Sequence, residues 1–128
     1  MPPVIPPVPG PDDEFFWAGV REGRLLVQRC TGCDQLRHPP LPMCPHCRSL
    51  EWAPADLSGR GRVWAWILSH HPSAPDDEPR IVVLVEMEEG VRLVANLRAR
   101  PEDAAIDLPV EVVYEQFDGL VLPQFVPR

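Results

Sequence analysis

Four cysteines carry the clearest chemistry in this chain. They fall as Cys30-Thr31-Gly32-Cys33 and Cys44-Pro45-His46-Cys47, ten residues apart, and they are all the cysteines in the sequence. Each CxxC pair can sit on a tight knuckle that aims two thiolates at one ion, while the intervening hairpin brings the knuckles together. Gly32 and Pro45 are the small or turn-setting residues that such knuckles need. Zinc is the natural ion, held structurally by Cys30, Cys33, Cys44 and Cys47. Two disulfides or four buried thiols are the competing uses, and the regular spacing is that of a zinc site rather than of a disulfide framework. Ligand identity alone does not separate zinc from iron in a rubredoxin-like site. Four sulfurs close the coordination shell, whereas a catalytic zinc keeps a position for water.

The remaining reactive side chains do not form a catalytic set. His46 lies inside the second knuckle and is expected to point outward; His38 sits in the loop between the knuckles. His70 and His71 precede Asp76, Asp77 and Glu78, but neighbours on a strand face opposite ways and cannot readily serve one substrate atom. Glu86, Glu88 and Glu89 read as a charged hairpin edge. No GxSxG, phosphate loop or dinucleotide fingerprint is present. Binding residues are easier to nominate. Arg60 and Arg62 flank Gly61 and suit an anion, with a salt bridge to the chain's own acids as the alternative. Phe15, Phe16 and Trp17 form a cluster larger than a two-turn helix needs for one contact, so part of it is a candidate subunit surface, and docking onto its own ribbon or barrel is the plainer use. Trp64 and Trp66 are expected on one face of a strand, as core, partner contacts or base-stacking aromatics.

The elements that must position these groups follow from composition and pattern. At 128 residues the chain is one ordinary domain or two very small ones. Eighteen prolines imply extended segments and turns rather than long helices. A net charge of −7 and the lack of any lysine argue against general nucleic-acid binding. The arginines concentrate between Arg21 and Arg62, where seven face four acids. No run approaches a membrane span, and a start without a positive leader, together with paired CxxC motifs, predicts a cytoplasmic setting.

Three parts are expected: a Pro-rich arm and short helix over 1–23, a zinc ribbon over 24–58 and a barrel over 59–128. Residues 1–11 hold six prolines and read as extended, either a tail or an arm laid on a partner. Asp12 is the expected helix cap and Gly23 the left-handed stop. The pattern predicts a strand over 24–29, an open proline-rich loop over 34–43, and five strands over 61–70, 81–88, 91–97, 110–117 and 120–126. Glu89-Gly90 and Asp118-Gly119 mark tight hairpins. The fold class is therefore mainly β, with a short N-terminal helix, a rubredoxin-like zinc ribbon and a five-stranded OB-fold barrel.

The segments FFWAGVREGRLLVQRCTGC, HPPLPMCPHC, LSGRGRVWAW, LVEMEEGVRLVANL and PVEVVYE resemble, in that order, the bacterial and archaeal family in which a rubredoxin-like zinc ribbon is fused to an acyl-CoA-associated OB-fold. The resemblance runs from about residue 12 to residue 125. It departs from the family at Asp34, where relatives often have glycine, and at Arg37-His38, which replace a more usual aromatic; neither touches the metal positions. The resemblance implies a non-catalytic accessory subunit that binds a thiolase-like enzyme or a steroid side-chain retro-aldolase and helps form its acyl-CoA site. In that reading Arg60 and Arg62 meet CoA phosphates, since guanidinium pairs with phosphate oxygens in a bidentate way. The alternatives are a zinc-ribbon and OB-fold nucleic-acid module, or an acyl-CoA carrier that works alone.

Overall fold

The computed structural model describes residues 7–70, 72, 73, 76 and 78–128. The first six residues of the expected arm, His71 of the histidine pair and Asp77 of the acidic loop lie outside them.

Helix α1 spans Glu14–Arg21 and buries Phe16, Gly19 and Val20. Its start differs from expectation. Asp13, not Asp12, is the cap residue, and it makes no side-chain cap bond. Its carboxylate instead accepts the Gly10 N–H at 2.7 Å, which ties the incoming proline segment down. The helix ends as the sequence indicates: Gly23 has φ +73, its N–H bonds Val20 O, and the Arg24 N–H bonds Gly19 O. This pair of bonds satisfies the last carbonyls and turns the chain sharply into the first strand.

A three-stranded ribbon sheet follows, built from β1 (Leu26–Cys30), β2 (Leu36–Arg37) and β3 (Trp52–Asp56) in the order β2-β1-β3. β3 is absent from the sequence expectation. Trp52-Ala53-Pro54-Ala55-Asp56 shows little alternation and contains a proline, which a strand tolerates at a sheet edge, where β3 lies. The 34–43 segment is also less open than expected, because Leu36–Arg37 pairs with Gln28 and Arg29.

Five strands then close a barrel in the order β4-β5-β6-β8-β7: β4 (Arg60–Ser69), β5 (Arg80–Met87), β6 (Arg92–Leu97), β7 (Pro109–Phe117) and β8 (Leu120–Pro127). All neighbours run antiparallel except β6 and β8, which meet in parallel at Leu97 and Phe125. This is the OB-fold order expected from the strand spacing. Asp118 (φ 46) and Gly119 (φ 83) both adopt positive φ, as the two-residue hairpin between β7 and β8 requires. Gly61 is needed for a different reason: a Cβ there would run into the Glu86 carbonyl oxygen and the Val85 side chain.

One apolar core serves both sheets. Phe16, Val20, Leu25 and Val27 join Val63, Val83, Val85, Val110 and Phe125 in a single buried cluster. The Leu57 N–H donates to Leu25 O across the junction. The ribbon is therefore fixed to the barrel by shared burial as well as by the chain. Among the described residues, no helix is long and apolar enough to cross a membrane.

Candidate metal centre and docking surfaces

The end of β1 places Cys30, and the turn after it places Cys33; the second knuckle supplies Cys44 and Cys47. Their four Sγ atoms lie within 4.8 Å of one another. Cys30 and Cys47 sulfurs are 3.4 Å apart, and Cys33 and Cys44 sulfurs 3.7 Å. Sulfurs about 2.3 Å from a tetrahedral ion stand about 3.8 Å apart, so the quartet fits zinc. The two knuckles repeat one backbone device. The Asp34 N–H bonds Cys30 O at 2.8 Å and the Arg48 N–H bonds Cys44 O at 2.9 Å, and both donors have positive φ (63 and 66).

Without a cation the four thiols cannot share one charge state. The Cys47 amide, with help from that of His46 and against burial, lowers Cys44 to about 6. At Cys33 the Gln35 amide favours the thiolate, but burial and the sulfurs of Cys44, Cys47 and Cys30 outweigh it and push the thiol up to about 12. A divalent ion removes that conflict, because metal-bound thiols are deprotonated. Cys30 and Cys44 are buried, Cys33 is half-buried and Cys47 is exposed. His46 is exposed beside them, as expected.

The loop between the knuckles is held by a buried polar network that the sequence does not announce. The Gln28 Oε1 accepts from Arg37 Nε at 2.8 Å and from the Leu41 N–H at 2.8 Å, while Arg37 Nη2 donates to Leu41 O at 3.1 Å. Gln28 and Arg37 are only 2% and 6% exposed. A glutamine opposite an arginine on neighbouring strands is visible as a pair only once the register is known.

The aromatics of α1 turn mostly inward. Phe16 is buried, with Trp17 edge-on at 5.1 Å and His38 at 5.3 Å. Phe15 packs on Trp52 of β3 at 4.7 Å. Phe15 and Trp17 stay half-buried.

Trp64 and Trp66 do not share a face. A bulge between Val63 and Ala65 inserts Trp64 as an extra residue and reverses the alternation of β4. Trp66 then opposes Val83, a fully buried residue, and packs against the core. Trp64 stays 51% exposed with the Arg92 guanidinium 4.0 Å above its ring.

Before the bulge, Arg60 and Arg62 both point to solvent. Among the described residues neither forms an ion pair. Arg62 Nη1 donates to Asp107 O at 3.1 Å, and Glu86, which opposes Arg62, is taken by Arg92 at 3.4 Å. Arg62 lines a groove of about 320 Å³ with Gly61, Trp64, Glu86, Glu88 and Arg128, whereas Arg60 lies outside it.

The family model described as the ChsH2 rubredoxin-like zinc ribbon domain matches residues 17–53, and that of the ChsH2 C-terminal OB-fold domain matches residues 55–115. A probable enoyl-CoA hydratase alpha subunit of Thermomonospora curvata is 43% identical over 119 residues, covering 91% of this chain and 37% of that protein. A 3-oxo-4,17-pregnadiene-20-carboxyl-CoA hydratase alpha subunit of Mycobacterium tuberculosis is 39% identical over 118 residues, covering 91% of this chain and 38% of that protein. The chain thus spans well under half the length of these two relatives. Among solved structures, a chain of the Ltp2-ChsH2(DUF35) aldolase superposes with a TM-score of 0.87 at 41% identity, covering 94% of this chain and 98% of that one.

Proposed function

The chain belongs to the ChsH2 (DUF35) family of rubredoxin-like zinc ribbons joined to an OB-fold, and from that premise we propose that it is a non-catalytic accessory subunit of a thiolase-like or aldolase enzyme acting on acyl-CoA. The likeness to the DUF35 chain of the aldolase, over nearly all of both chains, carries this reading. Steroid side-chain CoA thioesters are the substrate class it favours, supported by the name of the mycobacterial relative. The chemistry is carbon-carbon cleavage or condensation, with the reactive groups on the enzyme subunit.

In this reading the parts of the chain divide at 23/24 and 58/59, and each has its task. Zinc, when bound, supplies structural cross-linking and no reaction step. Cys30, Cys33, Cys44 and Cys47 hold it, and a reducing, cytoplasmic setting keeps those thiols available. The groove beside Arg62 receives CoA phosphate, with Arg62 and Arg128 as donors, and Arg60, outside the groove but next to its lining Gly61, adds positive charge. The absence of a carboxylate partner on Arg62 among the described residues supports this role, because its remaining donors are free for phosphate oxygens. Trp64 is the exposed aromatic beside the same groove.

The test is purification of the tagged chain from its native host, identification of what remains bound, and titration of the complex with CoA. A thiolase-fold or aldolase enzyme in fixed stoichiometry is expected. Arg62→Ala should weaken CoA binding by about tenfold or more, the loss of a charge-assisted hydrogen bond. A chain that stays alone through mild washing, or that binds single-stranded DNA with steep salt dependence, sinks the proposal.

A further inference from the structure

Among the described residues, the barrel has several strand stretches whose outer edge no other strand covers, and most of them are blunted. Arg92 opens β6, Glu115 lies in the distal half of β7, Pro123 interrupts β8, and in the ribbon Pro54 interrupts β3. Charges and prolines on edges are how folded proteins prevent unwanted strand pairing. The distal half of β4 has no such device. β7 pairs with it only over Arg60–Arg62, and the last backbone bonds on that side join Val63 to Asp107 and Leu108. From Ala65 to Ser69 the strand pairs with β5 on one side, and among the described residues no strand or loop backbone pairs with the other side from Trp64 onward. This stretch reads Trp-Ala-Trp-Ile-Leu-Ser, six residues without charge or proline. It also keeps large apolar side chains in solvent, with Trp64 51%, Ile67 62% and Leu68 38% exposed.

Resting on the accessory-subunit reading above, we propose that the open edge of β4 over Ala65–Ser69 is the docking site, and that it accepts an extended strand of the enzyme subunit by strand addition. Backbone N–H and C=O groups of the edge bind the incoming strand, and Ile67 and Leu68 cover its apolar side chains. Charge at the two ends describes the strand that fits. Arg60 and Arg62 stand at one end of β4, and Asp76 and Glu78 follow its other end. The occupant therefore has an uncharged centre and a basic end toward Asp76 and Glu78, and it leaves Arg62 free for phosphate.

Continuity with the CoA groove selects the enzyme over a second copy of this chain. The open edge begins at Trp64, on the wall of the groove that holds Arg62. A strand of the enzyme laid there brings the enzyme's own acyl-CoA to that groove. Two copies paired edge to edge about a twofold run antiparallel. Arg62 of each then lies toward Asp76 and Glu78 of the other, which occupy the guanidinium needed for phosphate.

Amide exchange of the native complex, compared with the free chain, tests this. The edge-facing amides within 65–69 are expected to slow at least about tenfold on complex formation, and Ile67→Lys should weaken the complex by more than about tenfold with the free chain's melting temperature unchanged. Val94→Lys serves as the control, because Val94 is 67% exposed on β6, with β5 between it and the edge of β4. It should leave the affinity as it is. A complex that forms with 65–69 unprotected, or one broken equally by Val94→Lys, overturns strand addition while leaving the accessory role intact. No complex at all overturns both. Protection of the same amides in the free chain, with a dimer mass, gives the edge to a second copy and overturns the assignment to the enzyme.

Discussion

Removing metal from the four-cysteine centre is expected to unfold the barrel as well as the ribbon. The perturbation is a strong chelator, or Cys44→Ser in parallel, since Cys44 is 1% exposed and belongs to the second knuckle. A ribbon this small has no core of its own and depends on its metal to fold. The consequence for the barrel follows from the shared cluster. Phe16, Val20, Leu25 and Val27 are between 0% and 7% exposed and pack into the same core as Val63, Val83, Val110 and Phe125. Full burial of an apolar side chain of this size stabilises by about 1.5–3 kcal/mol, so these four contribute roughly 6–12 kcal/mol at most. A domain's whole stability is about 5–15 kcal/mol. Loss of the ribbon and helix thus strips the barrel of a share comparable to everything it has. Amide exchange at Val83 and Val85 of β5 reports the barrel separately from the ribbon. Protection there should collapse on chelation and return with added zinc. If β5 stays protected after the ribbon has lost its metal, the two sheets fold independently and the shared-core reasoning is wrong.

Other consequences are open to simpler measurements. Gly59→Ala places a Cβ 2.7 Å from Val112 Cγ1 in a backbone with φ +87, whereas Gly23→Ala meets nothing within 4 Å at φ +73. Urea titrations should show about 1 kcal/mol lost at Gly23 from backbone strain alone, and about 2–4 kcal/mol at Gly59, where overpacking adds to it. Gln28→Leu leaves the buried Arg37 guanidinium and the Leu41 N–H without their shared acceptor. A loss of about 3 kcal/mol is expected, and a much smaller change in the urea midpoint would show that the network is dispensable. Burial holds His38 below the ordinary histidine value, so the unfolded chain takes up this proton first. Its contribution lowers stability as pH falls through the unfolded value of about 6.5. His38→Phe should flatten the drop in melting temperature between pH 7.5 and 6, and an unchanged slope would assign that drop to the metal centre.

The sequence by itself determined the parts whose physics is local. The metal ligands were legible because two CxxC knuckles at this spacing specify a tetrahedral sulfur site whatever surrounds them. The barrel strands and their hairpins were legible from period-two alternation and from Gly90 and Gly119, and the helix stop from Gly23. Tertiary structure decided everything that depends on register. Trp64 and Trp66 are two apart and belong on one face of a regular strand, yet one inserted residue sends them to opposite sides. Gln28 and Arg37 become partners, and Trp52–Asp56 becomes a strand, only when β1 has neighbours to pair with. The bare edge of β4 is likewise invisible in sequence, because Trp-Ala-Trp-Ile-Leu-Ser reads as an ordinary strand. Its exposure follows from where β7 stops pairing, which is set by the closure of the barrel rather than by any residue within the edge.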